Sequence, residues 1–188
     1  MVRSFTILVA LLFIVSVGVQ AQAFEQGTKV VSAGIGIGSS LGSSSYTNQS
    51  PGISLLYEQG MWEVGGPGAI SLGGYLGFKN FKQDYSSSAF SSSAKWNYTI
   101  VGVRSAYHYN GLGNPNLDLY GGLMFSYNIL NYTYEHSGGQ NLVADSGSSS
   151  AGITLYVGGR YYFVENLGIF TELGYGISYL NIGLALRL

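Results

Sequence analysis

The chain has 188 residues, 29 of them Gly and 16 Tyr, with 9% charged side chains and no Cys. An average globular domain is about 25% charged, so an ordinary soluble surface is disfavoured. A formal net charge of −1 leaves no footprint for nucleic acid, and the absence of Cys excludes disulfides, thiolate metal sites and a lipoprotein anchor.

Residues 1–23 read as an export signal. Arg3 gives the positive start, and the apolar stretch from Phe5 to Val19 is interrupted only by Thr6, Ser16 and Gly18. The run Val19-Gln20-Ala21-Gln22-Ala23 places small residues where a signal peptidase cuts, after Ala21 or Ala23. The apolar stretch is shorter than the roughly 20 residues of a spanning helix, so removal is expected rather than anchoring. Residues 24–188 then form one domain of ordinary length. No later stretch approaches a spanning helix.

Period-two alternation dominates this domain. A first strand, Thr28 to Ser39, sets Val31, Ala33, Ile35 and Ile37 against Ser32, Gly34, Gly36 and Gly38. After a Ser/Gly-rich loop, Gly52 to Trp62 turns Ile53, Leu55 and Tyr57 one way and Ser54, Leu56 and Glu58 the other. Gly65, Gly66, Pro67 and Gly68 make a tight turn. Ala69 to Phe81 has Ile70, Leu72, Leu76 and Phe78 opposite Ser71, Gly73, Tyr75, Gly77 and Lys79. A serine-rich loop from Asp84 to Ala94 leads to Lys95–Tyr109, with Val101, Val103, Tyr107 and Tyr109 opposite Gly102, Arg104, Ala106 and His108.

Asn110 to Asn116 is a turn. The fifth strand, Leu117 to about Tyr134, opposes Leu119, Leu123, Phe125, Tyr127 and Ile129 to Asp118, Tyr120, Gly122, Ser126 and Asn128. A polar loop from His136 to Ser150 precedes Ala151–Phe163, where Ile153, Leu155, Val157, Tyr161 and Phe163 oppose Thr154, Tyr156, Gly158, Arg160 and Tyr162. The seventh strand, Leu167 to about Ile177, carries Glu172 and Gly174 on its polar face. The eighth alternates Leu180, Ile182, Leu184, Leu186 and Leu188 with Asn181, Gly183, Ala185 and Arg187.

Eight strands of about 10 residues suit tilted crossings of a bilayer. The loops after strands one, three and five are long, and those after two, four and six are short. In outer-membrane barrels long loops face outside and short turns face the periplasm. The expected fold is therefore all-β: an eight-stranded antiparallel up-and-down transmembrane barrel, both termini periplasmic, with a polar filled interior. A lipocalin-type soluble barrel would need the reverse polarity, and its surface here would be unusually poor in Lys and Glu.

The chain resembles the small bacterial outer-membrane barrel proteins of the OmpX and OmpA transmembrane-domain type, often labelled porin-family β-barrels. The resemblance spans the mature chain. It rests on the signal, the eight-strand pattern and the ending Glu172-Leu173-Gly174-Tyr175-Gly176 and Tyr179-Leu180-Asn181-Ile182-Gly183-Leu184-Ala185-Leu186-Arg187-Leu188. The resemblance implies outer-membrane lipid and lipopolysaccharide as surroundings and the barrel-assembly machinery as a transient partner. The terminal strand Leu180, Ile182, Leu184, Leu186 and Leu188 would be the insertion signal, although the family commonly ends in an aromatic residue and this chain ends in Leu188. A monomer without cofactor is expected.

An eight-stranded barrel has an interior just wide enough for side chains. The expected charge network inside is Glu58, Arg104, Asp118, Arg160, Glu172 and Arg187, with paired signs cancelling where water is scarce. Trp62, Tyr107, Tyr109, Tyr161 and Phe163, near strand ends at turns, form an expected periplasmic aromatic girdle.

Sharper motifs carry little. Gly34-Ile35-Gly36-Ile37-Gly38 lies within a strand and lacks the dinucleotide spacing. Asn97-Tyr98-Thr99 is a chance match to a glycosylation sequon. His136, beside Glu135 and Ser137, is the better placed of two histidines for lipid hydrolysis, His108 lying inward at the periplasmic end. No cluster has metal-ligand spacing. The leading expectation is a non-enzymatic barrel with a structural, envelope-integrity or surface-interaction role through its loops, for which no ligand is specified. A narrow channel or small-molecule transporter, and an outer-leaflet acyl hydrolase, are the alternatives.

Overall fold

The computed structural model describes residues 22–39, 41, 48–86, 91–136, 141–142, 148–175 and 178–188. Eight strands carry the architecture: β1 (Lys29–Ile37), β2 (Gly52–Val64), β3 (Gly68–Ser86), β4 (Ser91–Tyr109), β5 (Leu117–His136), β6 (Ser150–Tyr162), β7 (Leu167–Tyr175) and β8 (Leu180–Arg187). Each pairs antiparallel with its neighbour in sequence. β1 then pairs with β8, from Val30 opposite Arg187 to Ile37 opposite Leu180, and closes the barrel. Two short ladders extend the sheet, Asn48–Gln49 on β3 and Asn141–Leu142 on β5. No helix occurs among the described residues.

Alternation in sequence becomes alternation in burial, with polarity inverted from that of a soluble protein. On β1, Ser32 is buried while Ile35 and Ile37 are exposed; on β6, Thr154, Tyr156 and Arg160 are buried while Ile153, Leu155 and Val157 stand out. Leu, Ile, Val and Phe cover the outside. Arg, Glu, Asp, His and Ser are enclosed. Such a surface belongs in hydrocarbon, where closure also satisfies every ladder donor and acceptor that lipid cannot serve.

Several boundaries differ from the sequence reading. The serine-rich segment expected as a loop, Asp84 to Ala94, is mostly ladder: Asp84 pairs with Ser93, Tyr85 with Ser92 and Ser86 with Ser91. Only residues 87–90 of it fall outside the described residues. Beyond the lipid band a strand needs no apolar alternation, so serine continues a hairpin that pattern reading ends early. β5 likewise runs to His136 rather than Tyr134 and β2 to Val64, while the expected end of β7 near Ile177 lies outside the described residues, which carry it to Tyr175. Within the loop expected from Leu41 to Ser50, Asn48 and Gln49 pair with β3.

Trp62 shows a further local effect. The phase of Ile53 to Glu58 would turn it inward, yet it is exposed. A register shift between Gly60 and Trp62 inserts an extra residue and turns the indole outward.

Candidate functional site

The inside of the barrel is built in layers. In the middle layer Arg104 of β4 meets two carboxylates. Its Nε lies 3.2 Å from Glu58 Oε1, and its Nη2 and Nη1 lie 2.6 and 3.3 Å from Glu172 Oε1 and Oε2. Arg160 of β6 bonds Asp118 Oδ2 through Nη1 at 3.0 Å and donates through Nη2 to Glu58 Oε2. Glu58 therefore joins both guanidinium groups.

Tyrosines complete this layer. Tyr120 OH donates to Glu172 Oε1 at 2.9 Å. The guanidinium of Arg104 lies 4.0 Å from the Tyr156 ring centroid, and that of Arg160 lies 4.4 Å from Tyr120. Taking each ion out of water costs several kcal/mol, so the cluster persists only because the charges are multiply paired and the cations face aromatic rings.

The structure brings Glu58, Arg104, Asp118, Arg160 and Glu172 together. Arg187 is not among them. Its Nη2 donates to Ala23 O at 2.8 Å and its guanidinium lies 3.9 Å from the Tyr162 ring, one layer nearer the short-turn end. Lys79, also buried, sits at the other mouth and donates to Gly38 O at 2.9 Å.

Below the ion pairs is a constellation that sequence reading missed. Asp118 Oδ1 lies 2.8 Å from His108 Nδ1, and His108 Nε2 lies 3.0 Å from Ser71 Oγ. With Nδ1 protonated and bonded to Asp118, Nε2 accepts the Ser71 hydroxyl, the connectivity of a hydrolase triad. All three side chains are fully buried, and Phe24 stacks on the imidazole with centroids 3.6 Å apart and planes within 8°. Ser71, His108 and Asp118 lie on three strands, and only their common inward phase hinted at the meeting.

Phe24 belongs to the other feature missed, the segment Gln22–Thr28, which lies across the short-turn mouth. Gly27 N donates to Gly60 O at 2.9 Å and Gly60 N to Thr28 O at 2.8 Å. A side chain at Gly60 would collide with the Glu25 backbone, so glycine is required there. Above the ion pairs, beside Arg104, Tyr75 and Asn181, a cavity of about 30 Å³ has room for about one water.

On the outer face Trp62, Tyr107, Tyr109, Tyr161 and Phe163 are all exposed, and all lie close to the three short turns. Phe163 follows the last residue of β6. Leu184 and Ile182 of the terminal strand face outward, as does Leu188. Tyr127, Tyr175 and Tyr179 are exposed towards the opposite end.

At that opposite end β3, β4 and β5 continue as a three-stranded wall. Along its inner side Phe81 packs edge-on against Tyr98 with centroids 5.6 Å apart, and Trp96 lies 5.4 Å from Tyr132. Its outer side carries Asn80, Lys82, Lys95 and Asn97 across one ladder. Lys82 Nζ lies 2.9 Å from Asp84 Oδ2. The bond from Lys82 holds the Asp84 carboxyl below the usual carboxylate range. His136 ends β5, and its side chain, like those of Glu135 and Ser137, lies outside the described residues. Among the described residues no group of three or more His, Cys, Asp or Glu side chains could hold a metal ion.

An apolar exterior, a charge-paired interior and complete strand closure define an eight-stranded transmembrane β-barrel of the outer-membrane type with a filled lumen. Solved structures of similar fold include Ail, the attachment invasion locus protein of Yersinia pestis, in complex with the heparin analogue sucrose octasulfate. It has a TM-score of 0.45 and 13% identity, over 86% of this chain and 96% of that one. The Yersinia pestis outer membrane protein Ail in a phospholipid bilayer nanodisc gives 0.41 and 13%, over 87% and 100%. Neisserial surface protein A gives 0.40 and 17%, over 86% and 94%. The likeness is to the fold alone and says nothing of ligand or activity. No protein-family model matches the chain, and no curated protein matches its sequence.

Proposed function

We propose that the protein is a non-enzymatic integral barrel of a bacterial outer membrane, with both termini in the periplasm, acting at the cell surface in an adhesion-type or envelope-supporting role. The observation that carries this reading is the wall. β3, β4 and β5 have 19, 19 and 20 residues, whereas the other five strands have 8 to 13. About ten residues suffice to cross, so nearly half of each long strand stands beyond the lipid. An extension on which Trp96, Tyr98 and Tyr132 stay partly exposed suits partner contact, where aromatic side chains carry much of the binding energy.

The short-turn end, with the exposed Trp62, Tyr107, Tyr109, Tyr161 and Phe163, is on this reading the periplasmic girdle. Glu58, Arg104, Asp118, Arg160 and Glu172 are a structural core, Arg187 acts at the periplasmic mouth, and Leu180 to Leu188 forms the strand read by the insertion machinery. Lipid and lipopolysaccharide surround a monomer.

The test is a deletion strain complemented with the full chain or with a chain whose wall is cut back to short turns at Lys82–Lys95 and Tyr132–Ser149. At equal outer-membrane levels, attachment to epithelial cells should fall with the shortened wall, and unchanged attachment would overturn the wall's role. A deletion that alters only dye permeability would favour the envelope role. Large, reproducible single-channel currents from purified protein would instead favour the channel reading.

A further inference from the structure

The two candidate cleavage sites leave different chains. The stretch Ala21-Gln22-Ala23 fits the small-x-small form preceding a cut after Ala23, whereas the contacts at the barrel mouth favour the earlier bond. Ala23 is 2% exposed and Phe24 0%. Arg187 Nη2 donates to Ala23 O at 2.8 Å, and Asn110 Nδ2 donates to both Gln22 Oε1 and Phe24 O, at 2.9 and 2.7 Å. Residues 22–24 are thus bonded to β8 and to the β4–β5 turn.

A cut after Ala23 would delete the acceptor of Arg187, whose Nε already has no partner. It would also create an α-ammonium on Phe24 within a few ångströms of that guanidinium. A cation placed beside a like charge is unfavourable. A cut after Ala21 places the ammonium on Gln22, which is exposed, and retains every one of these bonds.

We propose that signal peptidase hydrolyses the Ala21–Gln22 bond, so that the mature protein begins at Gln22 and keeps Gln22–Thr28 as the fixed floor of its barrel. Water adds across the peptide bond, leaving a carboxylate on Ala21 and the ammonium on Gln22. Phe24, stacked on His108, then seals the lumen from the periplasmic side. The inference rests on reading the chain as an exported outer-membrane protein.

The experiment expresses the full 188-residue chain in a Gram-negative host and isolates the outer-membrane fraction for intact-mass measurement and amino-terminal sequencing. The expected terminus is Gln22, whether or not that glutamine has cyclised with loss of ammonia. An outer-membrane barrel beginning at Phe24 would overturn the cleavage inference and leave the location intact. An uncut chain retained in the inner membrane would overturn both. Refolded chains starting at Gln22 and at Phe24, prepared without added residues, give a second measurement. Losing a hydrogen bond to a charged group should raise the unfolding equilibrium constant at least about tenfold in the shorter chain. Equal urea midpoints would overturn the proposed role of residues 22 and 23.

Discussion

Glu58 and Arg104 stand on strands that do not touch, β2 and β4, and they meet across Gly73 of β3. In the ladder Gly73 lies opposite Glu58 on one side and Arg104 on the other, and Arg104 Nε comes within 3.2 Å of Glu58 Oε1 over the gap. A Cβ at Gly73 would lie 2.9 Å from Glu58 Cγ and closer still to the Tyr57 carbonyl oxygen, which is backbone and cannot move aside. The same device recurs at Gly158, opposite Tyr120 and Glu172, whose side chains are hydrogen-bonded.

Substitution at this crossing tests how far the charge cluster holds the barrel together. Glu58→Ala leaves Arg104 and Arg160 each short of a partner in a buried site and is expected to destabilise by about 3–5 kcal/mol. Gly73→Ala crowds the same contact and should cost about 1–3 kcal/mol. Both disturb the Glu58–Arg104 contact while the clash with the Tyr57 carbonyl remains, so the double variant should lose somewhat less than the sum. Urea unfolding in micelles, followed by tryptophan fluorescence, reads all three. Full additivity would show that Gly73 is not the gap through which this pair forms.

The alternation that reveals the strands also fixes which residues point inward, so Arg104, Arg160, Glu58, Asp118 and Glu172 could be grouped from sequence. What alternation lacks is height. Arg187 shares the inward phase but stands one layer towards the short turns, where its partner is the backbone of Ala23. Phe24 was hidden for another reason: it precedes the first strand, so no period assigns it a side. The ladder from Asp84 to Ser93 was hidden because strands in water can be serine-rich without an apolar face.

Ser71, His108 and Asp118 invite a catalytic reading that their surroundings argue against. A nucleophile must reach a carbonyl carbon with oxyanion donors nearby, yet Ser71 is enclosed and Phe24 covers the imidazole. Ser71 should therefore resist labelling by a fluorophosphonate in the folded protein. Phospholipid and lipid A incubated with purified barrel should remain intact, and Ser71→Ala should change only stability. Labelling that vanishes in Ser71→Ala would revive the hydrolase reading.

Asp84 offers a pH test outside the lipid band. Its side chain is exposed, and its carboxyl is held below the ordinary value by the bond from Lys82. The folded-state pKa is lowered, so the contact contributes above the ordinary carboxylate range, about pH 4, and is lost as pH falls through the lowered value. A carbon-13 titration of the Asp84 carboxyl should give a midpoint below that ordinary range, moving upward in Lys82→Gln. An unmoved midpoint would show that the ion pair does not form in solution.

Val157 and Tyr161 lie on the same outward face of β6, both exposed, but at different expected depths. Val157 is about midway along the apolar band, whereas Tyr161 is next to the turn and the aromatic ring of residues around it. In a bilayer, arginine on the lipid face costs about 2–4 kcal/mol at the midplane and about 0–1 kcal/mol near the interface. Val157→Arg should therefore destabilise the barrel by about 2 kcal/mol more than Tyr161→Arg when unfolding is measured in lipid vesicles. In water or short-chain detergent that depth dependence should shrink, because the medium no longer imposes a hydrocarbon midplane. Equal penalties in vesicles would mean that the apolar band does not sit where the turns and aromatic side chains place it.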